Sequence, residues 1–208
     1  MSREVGKRYA LIAVDLQNDF AAEGGKLYSP KPCLLFLRST LFPYLESCGM
    51  QISEIVSDYR RPRPGYTKGC CEPGQWGHDS IVPAGRTGSR LVKSMNSPVW
   101  TRENIGEADG EPGPPYPDPE RLTAWLRTAL GEPGDVLPVV FGLTVDCCVL
   151  CVAQELSWRG YETLVLREGV DCPSGKPDDR DTVLATTVQN WAGTIVWQQL
   201  MTLLDHQG

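Results

Sequence analysis

The chain has 208 residues, 41% of them hydrophobic, enough for one well-buried core near the upper end of single-domain size. A formal net charge of −6 offers no basic face for nucleic acid or an anionic membrane, so the expected partner is a small molecule or another protein. No apolar run approaches the roughly 20 residues that span a bilayer.

The stretch Met1 to Tyr9 carries basic residues but leads only into Ala10 to Val14, which meets Asp15 instead of a small-residue cleavage site. That reads as a cytoplasmic protein without an export signal. Eight cysteines in such a chain are expected as thiols, not as a disulfide framework. The adjacent pairs Cys70-Cys71 and Cys147-Cys148 lack the two-residue gap of a zinc knuckle, and only His78 and His206 could add nitrogen ligands, so no metal is expected.

In chain order, Tyr9 to Val14 is a nearly continuous apolar run ending at a carboxylate, the pattern of a strand buried on both faces of a parallel sheet. Leu34 to Cys48 carries a helical apolar stripe that Pro43 interrupts, and Gln51 to Ser57 reads as a second strand ending before Asp58. Tyr59 to Gly88 is dense in Gly, Pro and Arg without periodicity, an irregular segment of a length that often carries function. Ser89 to Val92 is a further short strand. The acidic, Pro- and Gly-rich stretch from Glu103 to Pro119 is expected to be mobile and to contribute to a lid or an interface.

Pro119 to Leu130 is a predicted helix with Asp118 as its amino-terminal cap and Gly131 just past its end. Val136 to Phe141 is a buried strand, Cys148 to Arg159 a helix stopped by Gly160, Glu162 to Arg167 a strand, Asp178 to Ala192 a helix, and Thr194 to Trp197 a last strand. This alternation predicts one α/β domain over residues 1–208, a three-layer α-β-α, doubly wound and mainly parallel sheet. No internal repeat is present.

In such a sheet reactive groups collect at the carboxyl ends of strands, where Asp15, Lys93 and Cys148 fall. Cys148 follows a strand and a Gly-containing turn and opens a helix, so free N–H groups and the helix dipole favour its thiolate. By residue type alone, a free cysteine is more often a small buried hydrophobe, Asp15 a cap and Lys93 an exposed side chain.

Together, Asp15 to Phe20 (Asp-x-Gln-x-Asp-Phe), Lys93 with Ser97, and Gly142 to Val149 (Gly-x-x-x-Asp-x-Cys-Val) resemble the isochorismatase-like cysteine hydrolases, the superfamily of nicotinamidases and N-carbamoylsarcosine amidohydrolases. The resemblance covers nearly the whole chain and implies a catalytic triad of Asp15, Lys93 and Cys148. It further implies a cis peptide near Leu143-Thr144 and an oxyanion hole from the N–H groups of Thr144 and Cys148; substrate contacts are expected at Gln17 and Phe20 and, where the chain departs from the family pattern, at Arg60.

The implied activity is hydrolysis of a C–N bond in a small amide or carbamoyl compound through a thioester, without a cofactor. The alternatives are an isochorismatase-type ether hydrolase, in which Asp15 works as the acid, and a catalytically idle scaffold. The family forms dimers or tetramers, which implies a homo-oligomer. Two departures stand out. The nicotinamidase pattern places an Asp-x-His metal site after the second strand, where this chain reads Asp58-Tyr59-Arg60, and the aromatic residue expected after the Ser turn is Val99 followed by Trp100. The cationic cluster Arg60, Arg61 and Arg63 suggests a substrate carboxylate in place of a metal, and Cys147 and Cys151 are expected to pack.

Overall fold

A computed structural model describes residues 7–63 and 65–206, so most of the amino-terminal stretch read for an export signal lies outside the described residues. In chain order the elements are β1 (Arg8–Val14), α1 (Asn18–Ala21), α2 (Pro32–Phe36), α3 (Phe42–Cys48), β2 (Ile52–Ser57), β3 (Thr87–Lys93), β4 (Trp100–Thr101) and β5 (Tyr116–Pro117). They continue with α4 (Pro119–Ala129), β6 (Val136–Leu143), α5 (Cys148–Trp158), β7 (Leu164–Asp171), α6 (Pro177–Thr186), β8 (Gly193–Ile195) and α7 (Trp197–Asp205). Among the described residues no helix is long and apolar enough to cross a membrane.

The main sheet runs β3-β2-β1-β6-β7-β8, and every pair in it is parallel. Strands are added outward from β1 on one side and then, from β6, on the other, so the chain reverses direction between β1 and β6. That reversal opens a crevice at the carboxyl ends of the two central strands, the place where open α/β sheets bind ligands. With helices flanking the sheet, this is the expected three-layer, doubly wound α/β architecture. Ile12, Val14, Ile55, Val139 and Phe141, all at or near complete burial, form its centre; side chains of this kind each contribute roughly 1.5–3 kcal/mol when buried.

At the crevice β1 and β6 approach unusually closely. Gly142 lies opposite Val14 with φ 124°, and a Cβ there would sit 2.1 Å from the Val14 carbonyl oxygen. Only glycine is compatible with that approach. The residue after Val14, Asp15, takes a left-handed φ of 51° and donates its N–H to Ile55 O at 2.9 Å. The chain therefore turns sharply off β1 while staying anchored to β2.

Several elements differ from the sequence-based expectation, each for a physical reason. Pro43 does not interrupt the second helical segment. Residues Leu37–Leu41 form a π-helical turn between α2 and α3, and the wider turn places the N–H-less Pro43 in the first turn of α3, where no intrahelical donor is required. Strand β7 runs on to Asp171, past the polar Arg167-Glu168-Gly169, because its pairing with β6 shifts register between Val140 and Gly142. A helix, α7, follows β8 where none was expected.

The 103–119 stretch is not a loose lid. β5 pairs with β4, and the Arg60 guanidinium donates to the carbonyls of Asn104, Glu107 and Gly110, each at 2.7 Å. The Asp118 cap is as expected, its carboxylate accepting the Arg121 N–H at 2.9 Å.

Candidate active site

Asp15, Lys93 and Cys148 arrive from three different strand ends. Asp15 follows β1, Lys93 is the last residue of β3, and Cys148 is the first residue of α5 after β6. The peptide between Leu143 and Thr144 is cis. Lys93 Nζ lies 2.8 Å from Asp15 Oδ2 and 3.5 Å from Cys148 Sγ, so the ammonium bridges carboxylate and thiol.

Lys93 is completely buried, against the ordinary behaviour of a lysine, and its three donors are shared with two further acceptors. They reach Ser57 Oγ at 2.8 Å and Tyr59 OH at 2.6 Å. Ser57 in turn donates to Asp15 Oδ1 at 2.7 Å. Burial alone would depress the Lys93 pKa, but the Asp15 carboxylate, Cys148 and Tyr59 outweigh it and hold the ammonium well above the usual lysine range. Burial pushes the Tyr59 phenol far up, so it remains protonated.

The two neighbouring thiols divide a charge unequally. A hydrogen bond with Cys147, and then burial, raise the Cys148 thiol well above its ordinary range although Lys93 pulls it down. The same hydrogen bond lowers Cys147 to about 7. The coupling of the two thiols thus works against a standing thiolate on Cys148 and in favour of one on Cys147.

A cavity of about 230 Å³ opens on these groups, lined by Asp15, Phe20, Arg63, Thr144, Cys147 and Cys148 among others. It holds the equivalent of about eight waters of liquid volume, a small-molecule space. A larger recess of about 740 Å³ lies at the opposite, amino-terminal edge of the strands, among Tyr9, Leu11, Ser53 and Ser89, away from these groups. Among the described residues the N–H groups of Thr144 and Cys148 meet no acceptor, whereas those of Val145, Cys147 and Val149 do. Thr144 and Cys148 both line the cavity.

Of the three residues expected to touch substrate, Phe20 lines the cavity and the other two do not. The Gln17 carboxamide is consumed by Ser57, accepting its N–H at 2.7 Å and donating to its carbonyl at 2.9 Å. It fixes the serine that holds Asp15. Arg60 is turned away because both its charge and its donors are taken: Nε and Nη2 bind the two Asp58 oxygens at 3.0 and 2.8 Å, and the remainder bind the 104–110 carbonyls.

The arginine that does face the cavity is Arg63, stacked between the rings of Tyr59 and Tyr66 at 3.8 and 3.9 Å. Sequence reasoning placed Arg63 only within a cluster and missed Ser57, Tyr59, Asn96 and Lys31. Ser57 and Tyr59 flank Asp58 at the end of β2, and that position at a strand terminus was the available signal.

Comparison with solved structures agrees with this architecture. The chain matches an isochorismatase-like hydrolase from Alkaliphilus metalliredigens with a TM-score of 0.65 at 17% identity, over 94% of this chain and 96% of that one. The chain has the isochorismatase-like hydrolase fold. Pyrazinamidase of Pyrococcus horikoshii, solved in complex with zinc, matches with a TM-score of 0.63 at 20% identity over 91% and 99% of the two chains. N-carbamoylsarcosine amidase from Thermoplasma acidophilum matches with a TM-score of 0.57 at 19% identity over 90% and 95%. No family model matches the sequence, and no curated protein matches it.

The residues at the end of β2 do not fit a metal ion, the group that the nicotinamidase pattern would place there. Both carboxylate oxygens of the fully buried Asp58 are bound by Arg60, and Oδ2 also accepts the Gly106 N–H at 3.0 Å. A fixed guanidinium charge stands where a cation would need that carboxylate. Asp19, Cys70 and Cys71 do bring ligand atoms within 4.8 Å of one another. There, however, Asp19 is engaged by the N–H groups of Cys71 and Lys26 at 2.6 and 3.1 Å, which ties down the loop.

Proposed function

We propose that this isochorismatase-like protein is a cysteine-dependent hydrolase that cleaves a C–N bond of a small amide or carbamoyl compound, with Cys148 as nucleophile. One observation carries the reading: a single buried ammonium, Lys93, contacts both Asp15 and the Cys148 thiol, and these two groups line a small cavity together with Thr144. Substrate binding brings the scissile carbonyl over Cys148. The thiol proton passes to Asp15, and the thiolate adds to the carbonyl carbon. The oxyanion that forms is received by the N–H groups of Thr144 and Cys148. Collapse expels the amine or ammonia, which takes its proton from Asp15, and water then hydrolyses the thioester.

An ether hydrolase that uses Asp15 as an acid would need no thiol. The test is turnover of a panel of small amides, ureas and carbamoyl compounds by wild type and Cys148→Ala, with intact-mass detection of a covalent adduct. The expected result is an acyl adduct on the wild type and complete loss of turnover in the variant. Near wild-type turnover by folded Cys148→Ala would refute the cysteine mechanism.

A further inference from the structure

The cavity at Cys148 is charged in a way the proposed hydrolysis does not use. Its one carboxylate, Asp15, is already paired with Lys93. Two further cations line it, Arg63 and Lys31, and neither has a carboxylate partner among the described residues, unlike Arg60, Arg61 and Arg90. Arg63 is held rigidly: Tyr59 and Tyr66 sandwich its guanidinium, and Nη1 donates to Asn96 Oδ1 at 2.8 Å. The same Asn96 oxygen lies 3.9 Å from Cys148 Sγ, so the guanidinium sits one shared acceptor away from the nucleophile.

Lys31 is almost wholly buried, and its two acceptors are both atoms of Ser29, which leaves one of its three donors unassigned. Asp171 acts on Lys31 through space but makes no ion pair with it: its Oδ2 accepts the Cys33 N–H at 2.7 Å, and its Oδ1, without a hydrogen-bond partner, lies 3.8 Å from Arg180. A neutral ligand filling this space would displace water from both cations without giving either a carboxylate partner, which is unfavourable. A carboxylate would supply the missing charge and match the planar fork of the guanidinium.

We propose that the cavity selects amides or ureido compounds that carry a carboxylate, seated against Arg63 with Lys31 as the second cation. This rests on the hydrolase reading for the orientation of the substrate, with its scissile carbonyl at Cys148. The remaining lining, Phe20, Leu27, Leu143 and Pro173, is apolar and suits a short hydrocarbon link between the two ends.

The test measures binding without turnover. Cys148→Ala protein is titrated calorimetrically with N-carbamoylglycine, succinamate and oxamate, each against its neutral methyl ester. The expected result is a clear preference for at least one acid over its ester, weakening as salt is raised. Arg63→Gln in the same background should reduce affinity for that acid by about 10- to 100-fold, the loss of a charge-assisted bidentate contact, while the ester is little changed. Arg63→Lys, which keeps the charge without the fork, guards against a folding defect and should fall between. Arg61→Gln is the control, because Arg61 pairs with Glu111 on the surface. Equal affinity within every pair, no binding of any acid, or a preference that survives combined Arg63→Gln and Lys31→Gln would overturn the proposal. Such a result with Cys148-dependent turnover intact would leave the hydrolase reading standing; turnover that persists in Cys148→Ala would sink that reading alone.

Discussion

Replacing Lys93 with methionine preserves the length of the side chain and removes its charge, which isolates what the ammonium does. Asp15, 2% exposed, would lose its only ion-pair partner among the described residues, and Ser57, Tyr59 and Cys148 would lose a donor. Removing one partner of a buried ion pair typically costs about 3–5 kcal/mol, because the other charge stays desolvated. With an m value near 3 kcal/mol/M, that shifts a urea midpoint down by about 1–2 M. Asp15→Asn alone should also destabilise, but the double variant should recover much of the Lys93→Met loss, since no bare carboxylate remains. The assay is urea unfolding of all four proteins at pH 7. Additive losses in the double variant, or an unchanged midpoint in Lys93→Met, would refute the claim that Lys93 chiefly compensates Asp15.

Alkylation mapped by peptide should find Cys147 reacting before Cys148 in the free protein, with a midpoint at about 7; below that pH the thiol is protonated and slow, above it the thiolate reacts. Because the hydrogen bond from Cys148 is the leading cause, Cys148→Ala should move the Cys147 midpoint upward, and a midpoint that stays put would contradict this. Arg60→Ala should destabilise by roughly 3 kcal/mol, the lower end for breaking a buried pair, and expose residues 104–110 to proteolysis, because three carbonyls and Asp58 lose their donor together. An unchanged melting temperature and cleavage pattern would show that the loop is held by other contacts.

The parts of this protein that follow local rules were legible in the sequence. The uninterrupted apolar runs of β1 and β6 identify central parallel strands, and the glycine before Cys148 signals a tight turn into α5. Lys93 was legible only through the motif order, because residue type alone argues for a solvated lysine and its burial depends on Asp15 arriving from another strand. Arg60 and Arg63 looked equivalent in a run of arginines. Their fates differ because Asp58 lies two residues before Arg60 on the same turn, whereas Arg63 falls between Tyr59 and Tyr66 only after the loop folds back. The helix α7 had a readable signal, since Trp197, Leu200 and Leu204 recur at helical spacing and the last two are buried. The π turn before Pro43 had none, because a widened turn leaves no mark on apolar periodicity.

Under the proposed mechanism, the arrangement of charge makes the burial of Asp15, Lys93 and Cys148 compatible with thiol chemistry. At rest Lys93 and Asp15 form an ammonium–carboxylate pair 2.8 Å apart beside the Cys148 thiol, so the charges of that pair cancel and the desolvation of each ion is offset by the other. In the proposed first step the proton leaves Cys148 for Asp15, and the negative charge moves from carboxylate to sulfur. Lys93 contacts both atoms, so it remains the counter-ion before and after the transfer. No net charge is created in the low-dielectric interior, and the barrier to forming a thiolate there is correspondingly small. The high resting pKa of Cys148 is then no obstacle to its role, because the thiolate is not a standing species in this mechanism; it appears only as Asp15 accepts the proton with the substrate carbonyl in place to consume the sulfur lone pair.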